Sequence, residues 1–395
     1  MLKTTTLPKT PSVERLLKLW AKRYTPDLSP LSSVADPSSA YAALAIAASP
    51  KGRALTTARL HERLVELKCK MAAIETNALY AYMPNIIDFT DARNLAPCAL
   101  EIYKKIIEIY QQSLPSNTSQ AEIQLATQTN FQGVSVLPWG MPPIKELAKE
   151  LEPLFLNFQT QHIASSDWRT LGFITTMCNF GNRLLLEKLS LPEQVLIKPY
   201  LRFVEEQVAL PWQRVCAAAA RYQLENPIFQ LVEQMLPQSR EIAQTVYSRL
   251  VQLLPDHRSR RGGLDDPGIT HSCLRDLEMF QAYLWLCLLE KSMAPIEKEL
   301  VDLCVMVMTG VNVQWEMTEL WNKLLVQEIL SRVTPQQKLL LQPYTSGMQQ
   351  AFLKECKRFQ NPSDNTQLNS EQESIGRFQV PDSFFFPDVP ISIVE

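Results

Sequence analysis

Residues 171–200, LGFITTMCNFGNRLLLEKLSLPEQVLIKPY, decide the fold. Phe173, Met177, Phe180 and Leu184 recur at i, i+4, i+7 and i+11, which puts them on one face of a helix. Ser190 and Glu193 then stand at capping-box spacing, so a second helix starts where the first stops. Residues 311–344, VNVQWEMTELWNKLLVQEILSRVTPQQKLLLQPY, repeat this grammar. Val313, Met317, Leu320 and Leu324 keep the spacing, and Asn322-Lys323-Leu324-Leu325 answers Asn182-Arg183-Leu184-Leu185. Thr334 to Gln337 offers a second capping box with Pro335 at the first helical position, where its missing amide costs little. Pro199-Tyr200 and Pro343-Tyr344 close the two stretches, and an interior proline is expected to kink or end each helix. An internal duplication and a chance likeness of two leucine-rich helices both account for the echo. The expectation is an all-α, multi-helix bundle of two possibly duplicated lobes with an extended C-terminal tail.

Composition agrees with helices. Glycine numbers only 11 in 395 residues, below the usual share of about 7%, which disfavours turn-rich β architecture and phosphate-cradling loops. Apolar residues make up 46%, enough for a large core. The net charge of −2 gives no electrostatic reason to bind nucleic acid. The eight cysteines are scattered without a C-x-x-C pair and read as small buried hydrophobes of a reducing compartment. No apolar run reaches the length of a membrane span and no secretory leader is evident, so a cytoplasmic protein is expected.

Working outward, residues 1–37 form a basic N-terminal helix and linker. Within residues 1–70, 12 Lys or Arg face 5 Asp or Glu. Pro11 to Arg23 reads as a helix whose Val13, Leu16, Leu17 and Trp20 line one side, with Lys18 and Lys22 largely off it. That face packs on the chain's own core, or it lies on an anionic membrane surface or an acidic partner. Residues 24–37 are a proline- and serine-rich linker. A first lobe spans 38–255, with helices at 39–48, at 56–82 (Leu60, Leu64, Leu67 and Met71 on one face) and at 96–112 (Ile102, Ile106 and Tyr110). Residues 114–142 read as irregular and end in an apolar segment containing Trp139. Alanines 217–220 permit close helix approach and suggest a crowded position. The loop 256–268, DHRSRRGGLDDPG, is the expected lobe boundary, and the second lobe spans 269–360. Arg258, Arg260 and Arg261 there are a weak anion-site candidate, since Asp265 and Asp266 stand ready to neutralise them.

Catalytic signals are scarce. The four histidines form no HExxH, and there is no P-loop, G-x-S-x-G or dinucleotide fingerprint. No metal or cofactor is expected, and carboxylates such as Asp276 and Glu278 are accounted for by a solvated helix face. Residues 361–395 carry one Arg against six acids and end in RFQVPDSFFFPDVPISIVE. Phe384, Phe385 and Phe386, with Ile391 and Ile393, need an apolar surface to meet, and the prolines favour an extended path into a groove. The groove belongs to this chain or to a protein partner. The expected function is therefore a non-catalytic scaffold or adaptor. The alternatives are an attachment factor using the basic helix, and an enzyme or small-ligand binder whose helical pocket leaves no motif.

Overall fold

Short oxygen-bearing residues placed just before prolines start many of the helices, because the side chain satisfies an orphan amide while the proline needs none. Thr10 accepts from the Val13 amide at 3.2 Å, Asp36 from Ser39 at 3.2 Å, Ser49 from Gly52 at 3.0 Å and Asn226 from Ile228 at 2.9 Å. The computed structural model describes residues 3–80, 89–113, 142–162, 169–259, 262–305, 313 and 315–360. In chain order the helices are α1 (Pro11–Lys22), α2 (Ser29–Ser32), α3 (Pro37–Ala48), α4 (Pro50–Arg59), α5 (Glu62–Leu79), α6 (Phe89–Gln112), α7 (Ile144–His162) and α8 (Arg169–Leu186). They continue as α9 (Leu191–Ala209), α10 (Trp212–Ala218), α11 (Pro227–Met235), α12 (Ser239–Leu253), α13 (Pro267–Glu290), a π-helical turn at Ile296–Leu300, α14 (Trp315–Ser331) and α15 (Pro335–Gln360). The fold is all-α.

One group of helices builds around α5, which packs on α6 and α8, while α9 lies across α8 and α3. Another builds around α12, α13, α14 and α15, each packed on at least one other of the four. The N-terminal helix joins them, touching α7 on one side and α10 and α11 on the other. One cluster of buried apolar side chains, from Leu16 to Cys356, runs through both groups. Ala218 and Ala219 are buried where α10 and its 3-10 extension meet α1 and α13, as their small size allows.

Several expectations are corrected. The helix expected at 56–82 is two helices, α4 and α5. His61 takes an extended backbone between them, and its Nδ1 accepts from the Leu64 amide at 3.2 Å. The core face of α5 is also different: Val65, Cys69, Ala72, Ala73 and Thr76 are buried while Leu67 is exposed. Small side chains let α6 and α8 approach closely there, and that outweighs the hydrophobicity of leucine. Neither Pro199 nor Pro343 ends its helix, since α9 and α15 run on past them. For α9 the lost hydrogen bond is offset by burial of Tyr200, Leu201, Phe203 and Val204 beyond it. The linker contains one helical turn, α2. The loop 256–268 contains a short antiparallel hairpin, Arg258 opposite Gly263 and Ser259 opposite Gly262.

Candidate functional site

Helix α13 begins with Asp266, whose Oδ1 accepts from the amides of Gly268 at 2.8 Å and Ile269 at 3.1 Å. That start sets the phase of the helix, and Ser272, Cys273, Asp276, Met279 and Phe280 then fall on a common side at helical spacing. All five line a cavity of about 140 Å³. Thr175 and Thr176 of α8, Val208 and Ala209 at the end of α9, Leu264 after the hairpin, Leu303 and Cys304 line it too, as do Met317 and Trp321 of α14. The two echoing helices, α8 and α14, thus both contribute to its wall.

The wall is mainly apolar and partly aromatic. Phe280 lies 5.8 Å from Trp321 and 5.1 Å from Phe352, centroid to centroid. Tyr80 lies 5.9 Å from Phe173, and its hydroxyl pairs with that of Thr176 at 2.9 Å. The charged groups lining the cavity are Arg275 and Asp276. The Arg275 Nε and Nη2 both donate to Asp276 Oδ1, at 3.1 and 2.8 Å, and Nη1 stands 3.5 Å from Glu205 Oε1. Glu205, buried behind them, also meets His271 Nε2 at 2.7 Å and accepts from Asn179 Nδ2 at 3.3 Å. Burial pushes the Glu205 carboxyl up, but His271, Arg275 and Asn179 outweigh it and hold it below the usual carboxylate range. Burial pushes His257, another wall residue, downward, so its imidazole is neutral at pH 7. Burial and then Asp276 push the Cys304 thiol well up, which makes it a poor nucleophile. Among the described residues no three His, Cys, Asp or Glu side chains converge to hold a metal ion.

The carboxylates read from sequence as a solvated face are placed otherwise. Asp276 is a half-buried part of the cavity wall, and Glu278 is buried against Arg23. Arg23 also reaches Glu206 at 3.4 Å and Ser239 at 2.8 Å, and it lies 5.1 Å above the Trp212 ring. Arg202 donates to Glu206 at 2.6 Å, completing a buried cluster that ties the end of α1 to α9 and α13. Apart from the Arg202–Glu206 pair at i, i+4, nothing local in the sequence marks these residues, because their other partners lie up to 255 positions away.

The other sequence candidates are not brought to the cavity. Leu16 and Trp20 are buried in the core, Leu17 is half-buried, and Lys18 and Lys22 are exposed. The apolar face of α1 is thus occupied by the chain itself, which leaves Leu16 and Trp20 unavailable to a membrane. Among the described residues no helix is long and apolar enough to cross a membrane. Arg258 is exposed, whereas Arg260 and Arg261 lie outside the described residues, as do Trp139, Phe384, Phe385, Phe386, Ile391 and Ile393. Comparison with protein-family models, with curated proteins and with solved structures gives no match.

Proposed function

We propose that the chain binds a small, mainly apolar molecule in the cavity between α8, α13 and α14. The observation that carries this reading is the cavity itself, about 140 Å³ with a largely apolar wall and one ion pair in it. Packed cores leave few voids larger than a water molecule. A cavity of about 150 Å³ lined by apolar side chains accepts benzene, so the volume suits a single aromatic ring or a short branched chain.

Toluene is a suitable first probe. Its addition to the full chain should raise the melting temperature, because a ligand at 100-fold excess over its Kd stabilises by about 2.7 kcal/mol. Ala209→Phe, which places a ring in the cavity wall, should remove the response. No shift with toluene, or an equal shift in the variant, would overturn the reading. The adaptor reading, with a protein partner on Phe384 to Phe386, rests on sequence alone. The attachment reading needs Leu16 and Trp20 at a surface, and both are buried.

A further inference from the structure

We infer that the ligand is an apolar amine: a hydrocarbon body about the size of one aromatic ring, with one protonated nitrogen held by Asp276. This rests on the small-ligand reading and adds the charge of the ligand to it.

The two charged residues of the wall are not equally available. Arg275 is engaged on three of its nitrogens, Nε and Nη2 by Asp276 and Nη1 by Glu205. An anionic ligand would have to displace one carboxylate while standing beside the other. Asp276 is different. Both bonds from Arg275 arrive at Oδ1, and among the described residues Oδ2 receives none. One oxygen of a carboxylate in the cavity wall therefore has acceptor capacity left.

The charges of the described residues point the same way. Among the described residues in contact here, Arg275, Asp276 and Glu205 sum to −1, and His271 offsets this only when protonated. His257, another wall residue, is pushed by burial toward its neutral form. From these described groups an ammonium meets a net attraction or none, and a carboxylate a net repulsion or none. A hydrogen bond between an ammonium and a carboxylate is also about twice as strong as a neutral one. Tyr80, Phe280 and Trp321 supply aromatic wall, against which both the hydrocarbon and the cation are favourably placed.

Four probes of one size separate the possibilities: toluene, benzyl alcohol, benzylamine and benzoate, titrated calorimetrically into the full chain at pH 7.5. Benzylamine should bind about tenfold more tightly than benzyl alcohol. Asp276→Asn should remove that gap, and Asp276→Glu should keep it. If Asp276→Asn does not fold, the order of the four probes on the unaltered chain still decides. Benzyl alcohol or benzoate binding as tightly as benzylamine overturns the amine assignment and leaves the cavity reading standing. Failure of all four overturns both.

Discussion

The helix pairs α8–α9 and α14–α15 share one grammar and put it to different uses. Each has a buried asparagine at the same point of its first helix, and each asparagine donates to a carbonyl of the second helix. Asn182 reaches Leu201 at 3.1 Å and Asn322 reaches Met348 at 3.4 Å. Both connections are capped alike: Glu193 accepts from the Ser190 amide at 2.8 Å, and Gln337 from the Thr334 amide at 2.9 Å. The difference lies one residue earlier. Gly181 leaves room for Tyr103 of α6, whose hydroxyl would stand 2.6 Å from any added Cβ. That hydroxyl lies 2.8 Å from Asn182 Oδ1, so the first asparagine is satisfied at both ends. The equivalent position in α14 is Trp321. Among the described residues no partner reaches Asn322 Oδ1, and the indole forms cavity wall instead. One pair is sealed by a tyrosine; the other is left partly unsatisfied beside a cavity. A sequence echo therefore does not imply an echo of role.

The second helices differ as well. Glu206 of α9 sits between Arg23 and Arg202, and the residue that matches it in the echo register is the exposed Gln350. The largest expected effect follows from this. Glu206→Ala leaves the buried guanidinium of Arg23 and the half-buried one of Arg202 with Glu278 as their shared carboxylate, and should cost about 3–5 kcal/mol in urea unfolding. A loss under about 1 kcal/mol would show that α9 does not depend on its charges.

The same carboxylate makes stability depend on acid. Burial pushes Glu206 up, but Arg202 and Arg23 outweigh it and hold it at about 2, below its ordinary 4.5. A carboxylate depressed on folding contributes stability above its unfolded value, and that contribution fades as pH falls from 4.5 toward 2. Glu205, also depressed, acts in the same direction. Melting temperatures between pH 5 and pH 2.5 should fall less steeply in Glu206→Gln than in the unaltered chain.

The smallest effect is the sharpest contrast. Asn182→Leu gives up a bond to the Leu201 carbonyl, which keeps its partner within α9, and removes one of two acceptors of the buried Tyr103 hydroxyl, at a cost of about 1–3 kcal/mol. Asn322→Leu gives up one long bond and an oxygen that had no partner, so it should fall within about 0.5 kcal/mol of neutral or stabilise. Equal costs in the two variants would mean that the helix pairs are alike after all.

Much of the fold was legible because it is encoded locally. The helix start at Pro11 and both capping boxes were visible as spacing alone, whereas the spacing put a start at 56 and not at Ser49-Pro50. Ile102, Ile106 and Tyr110 are buried as their four-residue repeat requires. Less legible was α5, where leucine spacing ran on across the break at His61 and named the exposed Leu67 beside Leu60, Leu64 and Met71, which are buried or packed on the core. Periodicity identifies a stripe of apolar residues, but close approach of two neighbouring helices selected the alanine and cysteine side of α5.

By itself, then, the sequence determined the start of α1 and the two capping-box starts, that the chain is all-α, and which residues of the echo face inward. Those properties depend on groups within about four residues of one another along the chain. Tertiary structure alone decided that Asp276 lines a cavity, that Glu278 meets Arg23, and that Gly181 admits a tyrosine from α6. Each of these joins residues with no fixed separation in sequence. Their energies arise from burial and charge proximity, which exist only once the helices have packed.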